Sequence, residues 1–120
     1  MSRIRLTLAA LVGGSLLVAV PALGGTAATP TLTGTDGPGF TITLKKGAVK
    51  VKSVKAGKYR IVIKDRSNIH NFHLTGPGVN KKTSVGAVST VTWTLTLKKG
   101  TYRYVCDPHA SSMKGSFKVT

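Results

Sequence analysis

A thiol, an imidazole and a thioether fall within eight residues near the end of the chain, in the run Tyr102-Arg103-Tyr104-Val105-Cys106-Asp107-Pro108-His109-Ala110-Ser111-Ser112-Met113-Lys114-Gly115. Cys106 is the only cysteine, so no internal disulfide can form, and a bound metal ion is one way to occupy the thiol. Alternation places Tyr102, Tyr104 and Cys106 on one face of a strand and Arg103 on the other, so Cys106 is expected to end an inward-facing row. Pro108 cannot donate to a ladder and stiffens the exit from that strand. Ala110, Ser111 and Ser112 are small enough for a tight loop that returns His109 and Met113 toward the sulfur. A further imidazole must come from His70 or His73, the other two histidines of the chain. In Ile69-His70-Asn71-Phe72-His73-Leu74, strand parity puts His70 with Phe72 and Leu74, and His73 with Asn71. His70 is therefore the favoured partner, although a bulge at this strand end would invert the assignment.

A thiolate, two imidazoles and a weak thioether suit a blue-copper electron-transfer site, because sulfur favours Cu(I) and imidazole accepts Cu(II). Cysteine with two histidines also holds zinc, to which a thioether adds little. A cysteine nucleophile with a histidine base would need oxyanion-stabilising groups, and no motif for them accompanies the pair. No enzymatic activity is expected. The bland alternatives are a buried cysteine acting as a small hydrophobe and Met113 as core packing. His73 is expected to be a surface or sheet histidine, Trp93 to lie in the core, and Asp107 to cap or brace the loop.

The positioning elements read as strands. Apolar residues alternate with polar ones in Phe40-Thr41-Ile42-Thr43-Leu44, at Tyr59, Ile61 and Ile63, at Val91, Trp93, Leu95 and Leu97, and at Phe117 and Val119. Turn signals separate them: Asp36-Gly37-Pro38-Gly39, Ala56-Gly57, Gly76-Pro77-Gly78 and Lys99-Gly100. The pattern predicts an all-β, antiparallel sandwich. One strand-and-turn solution is used twice, in Thr41-Ile42-Thr43-Leu44-Lys45-Lys46-Gly47 and Thr94-Leu95-Thr96-Leu97-Lys98-Lys99-Gly100. The 120 residues suffice for one domain, expected over 39–120, with 29–38 as a flexible lead-in. Arg3 and Arg5, an uncharged apolar stretch over 6–25 and small residues at 26–28 describe a cleaved secretory signal over 1–28. An uncleaved membrane anchor is the rival reading.

The chain carries 18 Lys and Arg against 3 acidic residues, and loss of Arg3 and Arg5 with the signal lowers the net charge from +15 to +13. Such a surface attracts anions. Export and the absence of a nucleic-acid-binding motif argue against nucleic acid. Acidic protein partners or an anionic envelope surface remain, beside the simpler reading that lysines keep strand edges soluble.

From about residue 55 onward the chain resembles the plastocyanin and azurin family, the cupredoxins, particularly small bacterial members. Three stretches carry the resemblance: Ala56-Gly57-Lys58-Tyr59, His70-Asn71-Phe72-His73-Leu74-Thr75-Gly76-Pro77-Gly78 and Gly100-Thr101-Tyr102-Arg103-Tyr104-Val105-Cys106-Asp107-Pro108-His109. The resemblance implies a Greek-key β-sandwich holding one copper ion through His70, Cys106, His109 and Met113, with Asn71 bracing the copper loop. Three residues separate His109 from Met113, where plastocyanins usually have four and amicyanins two, so Met113 matches less closely than the other three. The expected function is an exported one-electron carrier of the periplasm or cell envelope, or one released from the cell. It would act as a monomer, with an acidic redox partner steered by lysines. His109 is the expected electron exit, within a rim of Pro77, Val79, Pro108 and Ala110. A copper storage, delivery or sensing module is the alternative. Met-rich or His-rich tracts would favour it, and the chain has 2 Met and 3 His.

Overall fold

The computed structural model describes residues 13–19 and 27–120. Residues 13–19 are exposed and without regular structure, and the rest of the expected signal lies almost wholly outside the described residues. Among the described residues, no helix is long and apolar enough to cross a membrane.

Among the described residues, ten strands form two five-stranded sheets. The first sheet contains β1 (Thr31–Asp36), β2 (Ile42–Lys46), β3 (Val49–Lys50), β5 (Gly57–Asp65) and β8 (Ser89–Leu97), in the order β3-β2-β1-β5-β8. The second contains β4 (Ser53–Val54), β6 (His73–Gly76), β7 (Val79–Lys82), β9 (Gly100–Val105) and β10 (Lys114–Val119), in the order β4-β10-β9-β6-β7. The expected all-β sandwich is present, with one correction. Each sheet is mixed, because β1 pairs parallel to β5 and β10 pairs parallel to β4.

Alternation explains the packing. Along β5, Tyr59, Ile61 and Ile63 turn inward while Lys58, Arg60 and Lys64 face solvent. Along β8, Val91, Trp93, Leu95 and Leu97 lie against the core while the threonines between them are exposed. The second sheet adds Leu74, Tyr102, Tyr104, Phe117 and Val119. Each buried aliphatic or aromatic side chain of this kind contributes about 1.5–3 kcal/mol. Phe72 stacks on Tyr104 with ring centroids 5.5 Å apart, and Tyr102 on Phe117 at 5.3 Å. The twice-used heptapeptide has equivalent roles: Leu44 and Leu97 are both fully buried, and Gly47 and Gly100 both take positive φ where the chain turns.

The segment expected as a flexible lead-in is instead a central strand. β1 is paired on both sides and buries Leu32 and Asp36 completely. Its short polar residues, Thr-Leu-Thr-Gly-Thr-Asp, conceal an inward row of Leu32, Gly34 and Asp36. Gly34 is required there because a Cβ would come within 2.6 Å of Ile63 Cδ1 and 2.8 Å of Phe72 Cε2.

Candidate metal centre

Cys106 follows β9 directly and is fully buried, continuing the inward row of Tyr102 and Tyr104. A 3-10 turn over Asp107–His109 then reverses the chain, with Pro108 in its first turn. The loop closes on itself. The Cys106 amide donates to the Met113 carbonyl at 3.0 Å, the His109 amide to the Cys106 carbonyl at 3.0 Å, and the Met113 amide to the His109 carbonyl at 2.8 Å. Met113 is fully buried at the return. Gly115 opposes Tyr104 in the β9–β10 register, and a Cβ at 115 would overlap the Tyr104 ring.

His70 reaches the same point from the loop between β5 and β6 and is fully buried. The parity premise needs correcting, because β6 begins only at His73. His70, Asn71 and Phe72 are buried in succession, so the segment does not alternate, and only Ile69 turns outward. His70 is nevertheless the histidine beside Cys106. Its Nδ1 lies 3.7 Å from Cys106 Sγ and 3.0 Å from His109 Nδ1, and His109 Nδ1 lies 3.5 Å from the sulfur.

These three atoms form a triangle whose equidistant point is about 2.0 Å from each, the range of metal–nitrogen bonds and a little short for metal–sulfur. Among the described residues, this trio is the one grouping of three or more His, Cys or acidic side chains able to hold a metal ion. The geometry fits a thiolate- and imidazole-ligated ion without rearrangement.

His73 points elsewhere. Its Nδ1 is 2.7 Å from Asp107 Oδ1 and its Nε2 is 2.7 Å from Asn80 Oδ1. Burial works against protonation of His73, but the hydrogen bonds to Asp107 and Asn80 and the Asp107 charge outweigh it and hold its pKa above the usual histidine value. Asp107 is shifted down: burial opposes this, and the hydrogen bonds from His73 and Asn71 overcome it. Asn71 Nδ2 donates to Asp107 Oδ2 at 2.8 Å and to the Thr83 carbonyl at 3.2 Å, while the Asp107 amide donates to Asn71 Oδ1 at 2.8 Å. The residue after His70 thus clamps the residue after Cys106, and the brace expected of Asn71 and Asp107 is present.

The expected rim is half wrong. Pro77 lies at the other end of the sandwich, where its carbonyl accepts from the Tyr102 hydroxyl at 3.0 Å and a Cβ at Gly100 would meet its Cγ at 2.6 Å. Val79 is buried. The apolar neighbour that sequence reading missed is Phe40, 62% exposed, whose ring centroid lies 4.9 Å from that of His109 and 5.2 Å from that of His70. Its alternation with Ile42 and Leu44 predicts a strand position, but β2 starts at Ile42 and Phe40 belongs to the preceding loop. The turn signal just before it, Asp36-Gly37-Pro38-Gly39, marks that loop.

A two-sheet β-sandwich that gathers a thiol and two imidazoles at one end defines a cupredoxin. Residues 41–120 match the sequence profile of the copper-binding proteins of the plastocyanin/azurin family, and the chain belongs to that family. Reduced rusticyanin superposes with a TM-score of 0.57 at 20% identity, over 75% of this chain and 78% of the other. Auracyanin from the photosynthetic bacterium Roseiflexus castenholzii gives a TM-score of 0.54 at 21% identity, over 78% and 98%. Auracyanin A from the green thermophilic photosynthetic bacterium Chloroflexus aurantiacus gives 0.53 at 21%, over 75% and 98%. At these identities the likeness is one of fold. Comparison with curated proteins gives no significant match.

Proposed function

We propose that the protein is an exported one-electron carrier in which His70, Cys106 and His109, with Met113 as a fourth donor, would hold a single copper ion. The observation that carries this reading is the closed triangle of Cys106 Sγ and the two Nδ1 atoms, held by backbone and by Asn71. Copper bound there would supply the exchange between Cu(I) and Cu(II). The chain supplies rigidity. Cys106 is tied to Met113, and Asp107 to Asn71, so neither end of the ligand loop can drift as the charge of the site changes. Coordination through Nδ1 leaves each imidazole proton on Nε2. His109 is only partly buried and offers its edge to a partner beside Phe40.

Pro108, Ala110 and Ile69 extend the apolar surface near this edge, and all three are exposed. Lys81, Lys82 and Lys114 stand on β7 and β10 toward the same end and favour an acidic redox partner. The basic head, apolar stretch and small-residue exit of residues 1–28 support export to the envelope.

The test is a Cu(II) titration of the purified protein followed by a redox titration. An intense visible band from Cys106 charge transfer at one equivalent, bleached and restored reversibly with the metal retained, is the expected result. A colourless product overturns the copper site. A coloured product that surrenders its metal on reduction overturns the carrier role in favour of copper delivery.

A further inference from the structure

The cations of this chain are not spread evenly over the sandwich. Lys46, Lys50, Lys52, Lys55, Lys98 and Lys99 are all exposed at the end away from Cys106, where β2 and β8 finish and β5 begins. No acidic side chain accompanies them, because Asp36, Asp65 and Asp107 are the complete acidic set and all lie at the opposite end. Lys45 and Lys50 are direct register partners across β2 and β3, a like-charge pairing that costs stability unless an anion lies over it.

The turn between those two strands is Gly47-Ala48, and Val49, which opens β3, is 70% exposed. A groove beside it is lined by Lys46, Lys50 and Lys52 around Val49, Val51 and Val54. Apolar tips among lysines suit the boundary of a bilayer, where the ammonium groups meet headgroups and the aliphatic groups enter below them. A soluble polyanion would use the lysines and have no use for Val49. The route of the chain agrees. β1 starts at Thr31, level with Arg60 of β5, and runs from this end toward the metal centre. The stretch that leads into β1 therefore arrives at the lysine end.

We propose that the lysine end is a docking surface for an anionic phospholipid bilayer, which leaves the metal centre facing away from the membrane. This does not depend on which metal the site holds. The test uses the full chain with vesicles of phosphatidylcholine alone or mixed with phosphatidylglycerol, so that any affinity of the N-terminal segment is common to all samples. The wild type should gain binding with phosphatidylglycerol and lose the gain at high salt. The triple variant Lys46→Gln, Lys50→Gln, Lys52→Gln should bind the anionic vesicles about a hundredfold more weakly. The variant Lys64→Gln, Lys81→Gln, Lys114→Gln removes the same charge near the other end and should stay within about threefold of wild type. Val49→Trp should shift its emission to the blue on anionic vesicles, and Phe40→Trp should not. Equal losses for the two triple variants overturn the proposal, because the charge would then act without orientation. Wild type that does not distinguish the two vesicle types overturns it, leaving the lysines as guards of a strand edge. Unchanged Val49→Trp emission on bound vesicles, or equally tight binding of soluble polyphosphate, rejects the bilayer as the occupant.

Discussion

At one end of the sandwich stand the thiol, two imidazoles and all three acidic side chains; at the other stand unpaired lysines around an exposed hairpin turn. The same strands serve both ends, so the difference lies in what each strand carries where it stops. The inward rows of β1 and β5 are apolar for most of their length and then finish in Asp36 and Asp65, register partners buried side by side. At the other end β5 opens with Gly57 and Lys58, and β2 and β8 run out into Lys46, Lys98 and Lys99. The metal end spends its polar groups on internal order: Asp65 accepts from the Thr83 hydroxyl at 3.3 Å, Thr83 Oγ1 accepts the Phe72 amide at 2.9 Å, and Asn71 clamps Asp107. The lysine end leaves its polar groups to solvent. Both ends carry exposed cations, but only the metal end has acidic side chains and a hydrogen-bonded interior beside them.

The sharpest way to break this contrast is to remove the sulfur. Cys106→Ala should abolish the intense visible band completely while the Cu(II)-free fold persists, checked by absorption and by circular dichroism. A band of unchanged intensity would mean that the thiol takes no part.

Next in size is the pair of histidines three residues apart. His70→Ala should remove the coloured site. His73→Ala should keep it and cost about 1 kcal/mol or less in unfolding, since the His73–Asp107 contact is only partly buried. Copper spectra and denaturant titrations of both variants decide the point, and the reverse ranking would place the metal on the other side of Asn71.

The acidic pair predicts a pH effect in the metal-free protein. Burial, then the hydrogen bond to Asp65 and its charge, push the Asp36 carboxyl up to about 7. In the unfolded chain the same group titrates near 3.8. The folded state therefore holds a proton that the unfolded state releases, and this contribution is full below pH 4 and lost as pH rises through 7. With screening allowed for, the loss should be about 1–2 kcal/mol. Asp36→Asn should remove that slope, measured as the difference between the two proteins in denaturant midpoints across pH 4–8. Parallel pH profiles would show that the pair carries no linked proton.

The smallest effect concerns charge and electron transfer. The triple substitution at Lys46, Lys50 and Lys52 should change the second-order rate with an acidic redox protein by less than about twofold at 0.1 M salt, because those charges lie well beyond a Debye length of about 10 Å from the His109 edge. The same number of substitutions at Lys81, Lys82 and Lys114 should slow it more. A larger effect from the distant set would mean that the partner docks at the lysine end.

Much of this was legible from residue order alone. Period-two alternation marked β5, β8, β9 and β10 because each has one dry face and one wet face. The Cys106 side of the site was legible for the same reason, since a strand parity fixes where its last residue points. β1 was not legible. Its inward row contains one large apolar residue, Leu32, with Gly34 fitted under Phe72 and Asp36 paired to another carboxyl, so its burial depends on partners distant in sequence. Strand parity favours His70 although the loop does not have that parity, and the following Asn71 is the sounder guide, since its side chain physically joins the two ligand segments. Phe40 escaped notice because a loop residue's neighbours are set by topology rather than by period.

The parallel pairing of β1 with β5 has a consequence for timing. A chain made and threaded from its N-terminus presents β1 first, yet β1 gains its parallel neighbour only when residues around Arg60 have emerged. The second sheet waits longer still. β9 gains one neighbour from β6 but the other from β10, which ends one residue before the C-terminus and also carries β4. Cys106 can be fixed to Met113 only once that last stretch is in place. A nascent chain that has exposed all three histidines and the thiol is still a loose thread, and the pocket closes with the final strand. The loose donors exist earlier, but the geometry that holds them around one point is completed only when β10 has paired with β9.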